Sequence, residues 1–218
     1  MSWETRAGNN LLPLSRDKDS LSRALREWRY TGDYHDLEEP SANCELCDHP
    51  DIRYQFEIRN LNTAETLLIG SECIHRFGIP ATDEEGRALD ALATRKKVDR
   101  DRRQLVEDAR RRRLVTALVA LANVERDFDV HSFIDYLQTR GAFTPKQLAT
   151  VLWRLKKQGV AHSPQDFKLT IRRGREKAQL LSLKEWEMVL VRPCLTSEQS
   201  AYLEKVAHRR ASLDHLLD

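Results

Sequence analysis

Three cysteines constrain this chain more than any other feature: Cys44 and Cys47, with two residues between them, and Cys73, 26 positions further on. A Cys-x-x-Cys pair puts two thiolates on one side of a tight turn, the arrangement of a zinc knuckle. The turn's own amides remain free to bond sulfur. Between the knuckle and Cys73 the chain alternates. Ile52, Tyr54, Phe56 and Ile58 share one parity, and Arg53, Gln55, Glu57 and Arg59 share the other. Period two over four positions predicts a half-buried strand. Asn60–Thr63 reads as a turn and Leu67–Ile69 as an antiparallel partner strand. Glu72–Phe77 then predicts a short helix, ended by Gly78 and Pro80.

A knuckle, a hairpin and a cysteine at a helix start resemble a treble-clef zinc module. Cys44, Cys47 and Cys73 supply three ligands and the site calls for a fourth. His49, two residues past Cys47, is the preferred choice because it shares a side with Cys47 if the chain is extended there. His75 serves only if Cys73 precedes the helix proper, since i and i+2 point apart on a helix. His35 is a more distant option. Four protein ligands close the site and leave no position for an activated water, so a bound Zn2+ is expected to be structural. A redox Cys-x-x-Cys needs a βα context that is missing here, and three reduced core cysteines are the plainest alternative. Cys194 stands apart and reads as an inert thiol.

The motif Cys44, Cys47, His49, Ile52, Arg53, Phe56, Asn60, Thr63, Glu65, Gly70, Ser71, Cys73, Ile74 and Phe77 resembles a small zinc-binding module in poorly characterised proteins of bacteriophages and bacterial mobile elements. Glu27-Trp28, Gly32, Phe143–Gln147 and Phe167-Lys168 resemble further parts of such proteins. Asp48 departs from the pattern, standing where a glycine is usual after the knuckle. The resemblance implies a fold for residues 25–80 and no settled activity.

The flanks read as mainly helical. Residues 1–19 look irregular. Ser20 can cap a helix with Leu21, Leu25 and Trp28 on one face, closed by Gly32. Thr82–Glu85 matches a capping box and opens a charged helical segment to about residue 126. Its apolar positions recur at three, four and seven residues, with gaps in the charged middle, which fits one long helix or two split near Val98–Asp108. Thr144–Gln147 is a strong helix start with Pro145 at the first helical position, and Thr196–Gln199 repeats the box. Phe167–Arg173 alternates as a strand or an extended wrap would. The expected class is therefore α+β, a treble-clef-like zinc hairpin embedded in a mainly helical protein. The expected segments are 1–81 with the zinc module, 82–126 as a long charged helical segment, and 127–218 as a mainly helical domain.

Charge is unevenly placed. The net is +2, yet residues 1–50 carry ten acids against six bases, and residues 95–113 carry ten bases against four acids. The second cluster is Arg95, Lys96, Lys97, Arg100, Arg102, Arg103, Arg110, Arg111, Arg112 and Arg113. Such a cluster suits phosphate, and arginine forks match its oxygens. A further group is Lys156, Lys157, Lys168, Arg172, Arg173, Arg175 and Lys177. The bland alternative is a solvated helix with internal ion pairs through Asp99, Asp101, Glu107 and Asp108. The leading expectation is an accessory protein that binds DNA or RNA without catalysis of its own. A protein-interaction adaptor or inhibitor, with the broken apolar spacing serving a homodimer, is the alternative. No phosphate-cradling glycine loop, nucleophile elbow or HExxH pattern points to an enzyme. No apolar run reaches about 18 residues, so no membrane span is expected. The opening residues lack a signal core, and the clustered cysteines place the protein in the cytoplasm.

Overall fold

Trp28 begins a strand, and that strand changes the architecture. A computed structural model describes residues 2–214, with side chains as far as residue 209. It divides into two compact units, Met1–Ala109 and Arg110–Asp218. The class is α+β: mostly helical, with a three-stranded antiparallel sheet in the first unit. Among the described residues no helix is long and apolar enough to cross a membrane.

The sheet runs β1 (Trp28–Asp36), β2 (Tyr54–Asn60) and β3 (Thr66–Ile69), in that spatial order. The β2–β3 hairpin follows the alternation, with Phe56 opposite Ile69 and Ile58 opposite Leu67. Its turn is built by Asn60, whose side-chain oxygen accepts from the amides of Asn62 (2.8 Å) and Thr63 (3.1 Å). An Asx side chain that substitutes for a backbone acceptor fixes such a turn. Strand β1 pairs with β2 through a bulge between Tyr30 and Tyr34. Gly32 lies inside that bulge at φ +98°, a conformation glycine adopts without a Cβ penalty. The helix expected to run from Ser20 to Gly32 is therefore corrected. It is only α2 (Leu21–Ala24) plus one 3-10 turn. Tertiary pairing overrides the local pattern because Trp28 and Tyr30 bury completely when they alternate on a strand. Residues 1–19 are corrected too, since α1 spans Trp3–Leu11 with Ser2 as its N-cap.

The core of the first unit gathers Trp28, Tyr30, Phe56, Ile58, Ile69 and Ile74. Several of its buried polar groups pair with one another. Trp28 Nε1–H donates to Ser15 Oγ (2.8 Å), and Ser15 Oγ–H donates to the Leu11 carbonyl. Tyr30 O–H donates to Asp101 at 3.0 Å. Burial, then the Asp101 charge, raises the Tyr30 hydroxyl pKa well above its usual range.

Helix α3 (Ser71–Arg76) follows the hairpin. Residues 82–90 then form a turn instead of the expected helix start. Thr82 bridges Ala88, Asp83 binds Arg87, and Gly86 sits at φ +78°. The helix begins at Asp90, whose carboxylate accepts from the Ala93 amide (2.7 Å). Helix α4 (Ala91–Val124) is continuous, and the unit boundary falls within it. Thr94, Val98, Asp101, Leu105 and Ala109 bury at steps of three and four. After a step of five, Leu114, Ala117, Leu118 and Leu121 bury at a new phase. That break explains why no single apolar stripe is legible along the segment.

The second unit continues with α5 (Val130–Arg140), α6 (Pro145–Lys157), α7 (Gly174–Leu181), α8 (Glu185–Val191) and α9 (Ser197–Asp214). Both halves of the Thr144–Gln147 capping box form. The segment after Phe167 is an extended wrap with one parallel bridge, Phe143 to Leu169, and no ladder. Phe143, Leu148, Leu152, Leu155, Phe167 and Leu180 bury there as a separate core.

Candidate metal centre and cationic surfaces

Cys44, Cys47 and Cys73 come together as one buried cluster, their sulfurs all within 4.8 Å of one another. The Cys44–Cys73 separation is 3.6 Å and the Cys47–Cys73 separation 3.3 Å. A disulfide needs about 2.05 Å, so these are free thiols. Tetrahedral thiolates around a metal at about 2.3 Å sit roughly 3.8 Å apart, so small adjustments of the side chains would admit an ion.

The cluster is held by main-chain geometry. The Cys44 amide donates to the His49 carbonyl and the Asp48 amide to the Cys44 carbonyl, each at 2.8 Å, closing the knuckle. Asp48 takes the left-handed conformation at φ +58°, one that glycine adopts without a Cβ penalty. Aspartate tolerates it, and Asn10 of α1 braces it by donating to Asp48 Oδ1 (2.9 Å) and to the Leu46 carbonyl. Glu45 ties the knuckle to β3: its amide donates to the Leu68 carbonyl, and its carboxylate accepts from the Leu68 amide. The Gly70 amide donates to Cys44 Sγ at 3.4 Å, and the amides of Cys47 and Leu46 also favour that thiolate. Cys73 enters from the first turn of α3.

A thiol hydrogen bond to Cys44, followed by burial, pushes the Cys73 pKa far up, while the same bond favours the Cys44 thiolate. Three buried sulfurs this close cannot all ionise without a positive charge among them. Their donor set and amide contacts fit a metal ion.

The histidines lie elsewhere. His49 is exposed and outside the cluster, and only its carbonyl takes part in the knuckle. His75 points its Nε2 at Asp99 Oδ1 (3.5 Å). His35 lies on β1, paired with Gln55. Among the described residues the cluster comprises three cysteines and no histidine. Cys194 is buried apart. Its thiol donates to the Pro164 carbonyl (3.0 Å), and burial raises its pKa to about 12.

No protein-family model, curated protein or solved structure matches this chain.

The cationic residues separate into two groups. Several serve the fold. Lys97 Nζ–H donates to the Thr82 carbonyl (3.2 Å) and stands over the Tyr30 ring. Arg100 binds Asp101, and Arg103 donates to the Asp99 carbonyl. Arg113 forks onto buried Asp166 (2.9 and 2.6 Å), while Arg110 donates to the Asp166 carbonyl. Asp166 was absent from the expected ion-pair partners because it lies more than 50 residues away in sequence. Arg111 and Arg112 are exposed. Arg95, Lys96 and Arg102 are exposed and make no hydrogen bond or ion pair among the described residues. The units also differ in sequence charge: 22 acids against 16 bases in Met1–Ala109, and 20 bases against 12 acids in Arg110–Asp218.

Proposed function

We propose that this is a zinc-stabilised nucleic-acid-binding protein without catalysis of its own. The metal is Zn2+, held by Cys44, Cys47 and Cys73 in a treble-clef module of the kind the phage and mobile-element resemblance implies. Three thiolates select a soft or borderline ion, and an amide-lined knuckle of this type is the usual setting of structural zinc. His49 is proposed as the fourth ligand, reached by turning its exposed imidazole toward the knuckle. Its role is to close the site, so the chemistry at the metal is scaffolding.

The observation that carries nucleic-acid binding is the solvent face of α4. At 100° per residue, Arg95, Lys96, Arg102 and Arg103 fall within an arc of about 120°. Asp99 is the one acid in that arc. Three of those four cations have no competing partner in the fold, so phosphate oxygens are their natural ligands. The quadruple variant Arg95→Ala/Lys96→Ala/Arg102→Ala/Arg103→Ala is expected to lose at least tenfold in affinity for DNA or RNA in low salt. Its salt dependence should be correspondingly shallower. Anisotropy titrations across salt concentrations measure both. Binding that is unchanged in the variant would remove α4 from the interface.

A second reading, docking of a protein partner, is favoured by a groove of about 710 Å³ between α6 and α8. Trp153, Trp186 and Val189 line it at 39%, 48% and 66% exposure, and Lys156 and Lys157 supply its charge. An apolar groove with a cationic rim is complementary to an acidic amphipathic helix. Titration with such a peptide should shift tryptophan emission to the blue, and a basic peptide with the same apolar face should not. Equal responses to both peptides would rule out the charge-matched docking.

A further inference from the structure

The second unit carries a cationic cleft that no local run of charge produces. Its floor is fixed by hydrogen bonds. The Phe143 amide donates to the Lys168 carbonyl (2.9 Å), and the Thr170 amide returns to the Phe143 carbonyl (2.8 Å). Gln199 Nε2–H, at the start of α9, donates to the Leu169 carbonyl (3.0 Å). These bonds join the turn after α5, the extended segment and the start of α9, and Lys177 of α7 borders the same space. They enclose a cleft of about 600 Å³ lined by Arg140, Lys168, Arg172, Lys177, Glu198 and Tyr202.

Four cations from three separate segments face one carboxylate. Arg140, Arg172 and Lys177 make no ion pair among the described residues. Like charges gathered in one cleft repel, and an anion bound among them would turn that repulsion into attraction. Lys177 Nζ stands 5.4 Å from the centre of the Tyr202 ring. A cation beside an aromatic ring can meet a phosphate and its neighbouring base together. The cleft's volume is in the range of small-ligand sites, roughly 300–1,000 Å³. A single strand offers unpaired bases that can stack on Tyr202, whereas the bases of a duplex are already stacked and paired.

The geometry points to a single-stranded nucleic-acid site in this cleft, with Arg140, Arg172 and Lys177 on successive phosphates and Tyr202 against a base. It rests on the nucleic-acid reading above and adds a second site of stated strandedness. The test uses the full-length, zinc-loaded protein with fluorescein-labelled oligothymidylate, the matching duplex and inorganic polyphosphate, each titrated over a range of KCl. The site predicts preference for the single strand over both competitors. Arg172→Ala/Lys177→Ala should weaken oligothymidylate binding at least tenfold and reduce the salt slope by about 1.4, at roughly 0.7 per phosphate on a single strand. Arg140→Ala should act in the same direction. Tyr202→Ala should weaken binding about fivefold or more, whereas Tyr202→Phe should retain it. If wild-type protein binds oligothymidylate and the cleft variants bind equally well, the cleft assignment is overturned while the general reading stands. Polyphosphate binding as tight as oligothymidylate overturns the assignment to nucleic acid. A wild-type protein that binds none of the three probes in low salt overturns both.

Discussion

Cys73→Ser, or removal of the metal by a chelator, is expected to unfold Met1–Ala109 while Arg110–Asp218 stays folded. Cys73 links α3 to the knuckle, and the knuckle is joined to β3 through Glu45 and to α1 through Asn10. Zinc binding in model fingers is worth on the order of 10 kcal/mol at neutral pH, and that energy is folding energy. Total domain stabilities are only about 5–15 kcal/mol, so the loss is decisive even with the sheet's own core in place. Without a cation, three buried sulfurs within 4.8 Å also oppose one another's ionisation. The second core contains none of these cysteines. Limited proteolysis should therefore cut throughout the first unit and spare the second. Cys194→Ser should leave both intact, since serine keeps the donor to the Pro164 carbonyl. Equal protease resistance of wild type and Cys73→Ser would show that the cluster is an ordinary thiol core.

Asp166→Ala should destabilise the second unit by about 3 kcal/mol. The Asp166 side chain is only 8% exposed and receives both arms of the Arg113 guanidinium. Removing one partner of a buried pair costs about 3–5 kcal/mol. The lower end applies because Arg113 is 49% exposed and water screens what is left. Arg110 keeps its bond to the residue-166 carbonyl, so the change isolates the carboxylate. Chemical denaturation of the second transition measures it, and a shift under 1 kcal/mol would show that the pair is merely a surface contact. The prediction bears on function, because Arg110 and Arg113 then belong to the fold and the interface lies with the other cations.

The β2–β3 hairpin was legible because its period-two pattern and Asn60 turn are local. The three cysteines converged as their spacing implied. Strand β1 was not legible. Leu21, Leu25 and Trp28 also fit a helix, and only pairing with residues 54–60 decides between them. The Thr82 box failed for a related reason. Asp83–Arg87 and Gly86 satisfy the local backbone as a turn, and Asp90 offers a better cap. The phase break after Ala109 split the apolar pattern of α4 into two incompatible stripes, so the sequence fitted one long helix and two shorter ones alike. Asp166 was missed as the partner of Arg113 because the two are distant in sequence and no periodicity connects them.

The central claim is that Cys44, Cys47 and Cys73 hold a structural zinc that organises the first unit. X-ray absorption at the zinc edge, with metal stoichiometry on the purified full-length protein, tests it most directly. The account predicts one zinc per chain with three sulfurs at about 2.3 Å and one nitrogen at about 2.0 Å. The nitrogen should be lost in His49→Ala and retained in His75→Ala. Protein that purifies without zinc, binds none on titration and keeps its folded sheet would contradict the account.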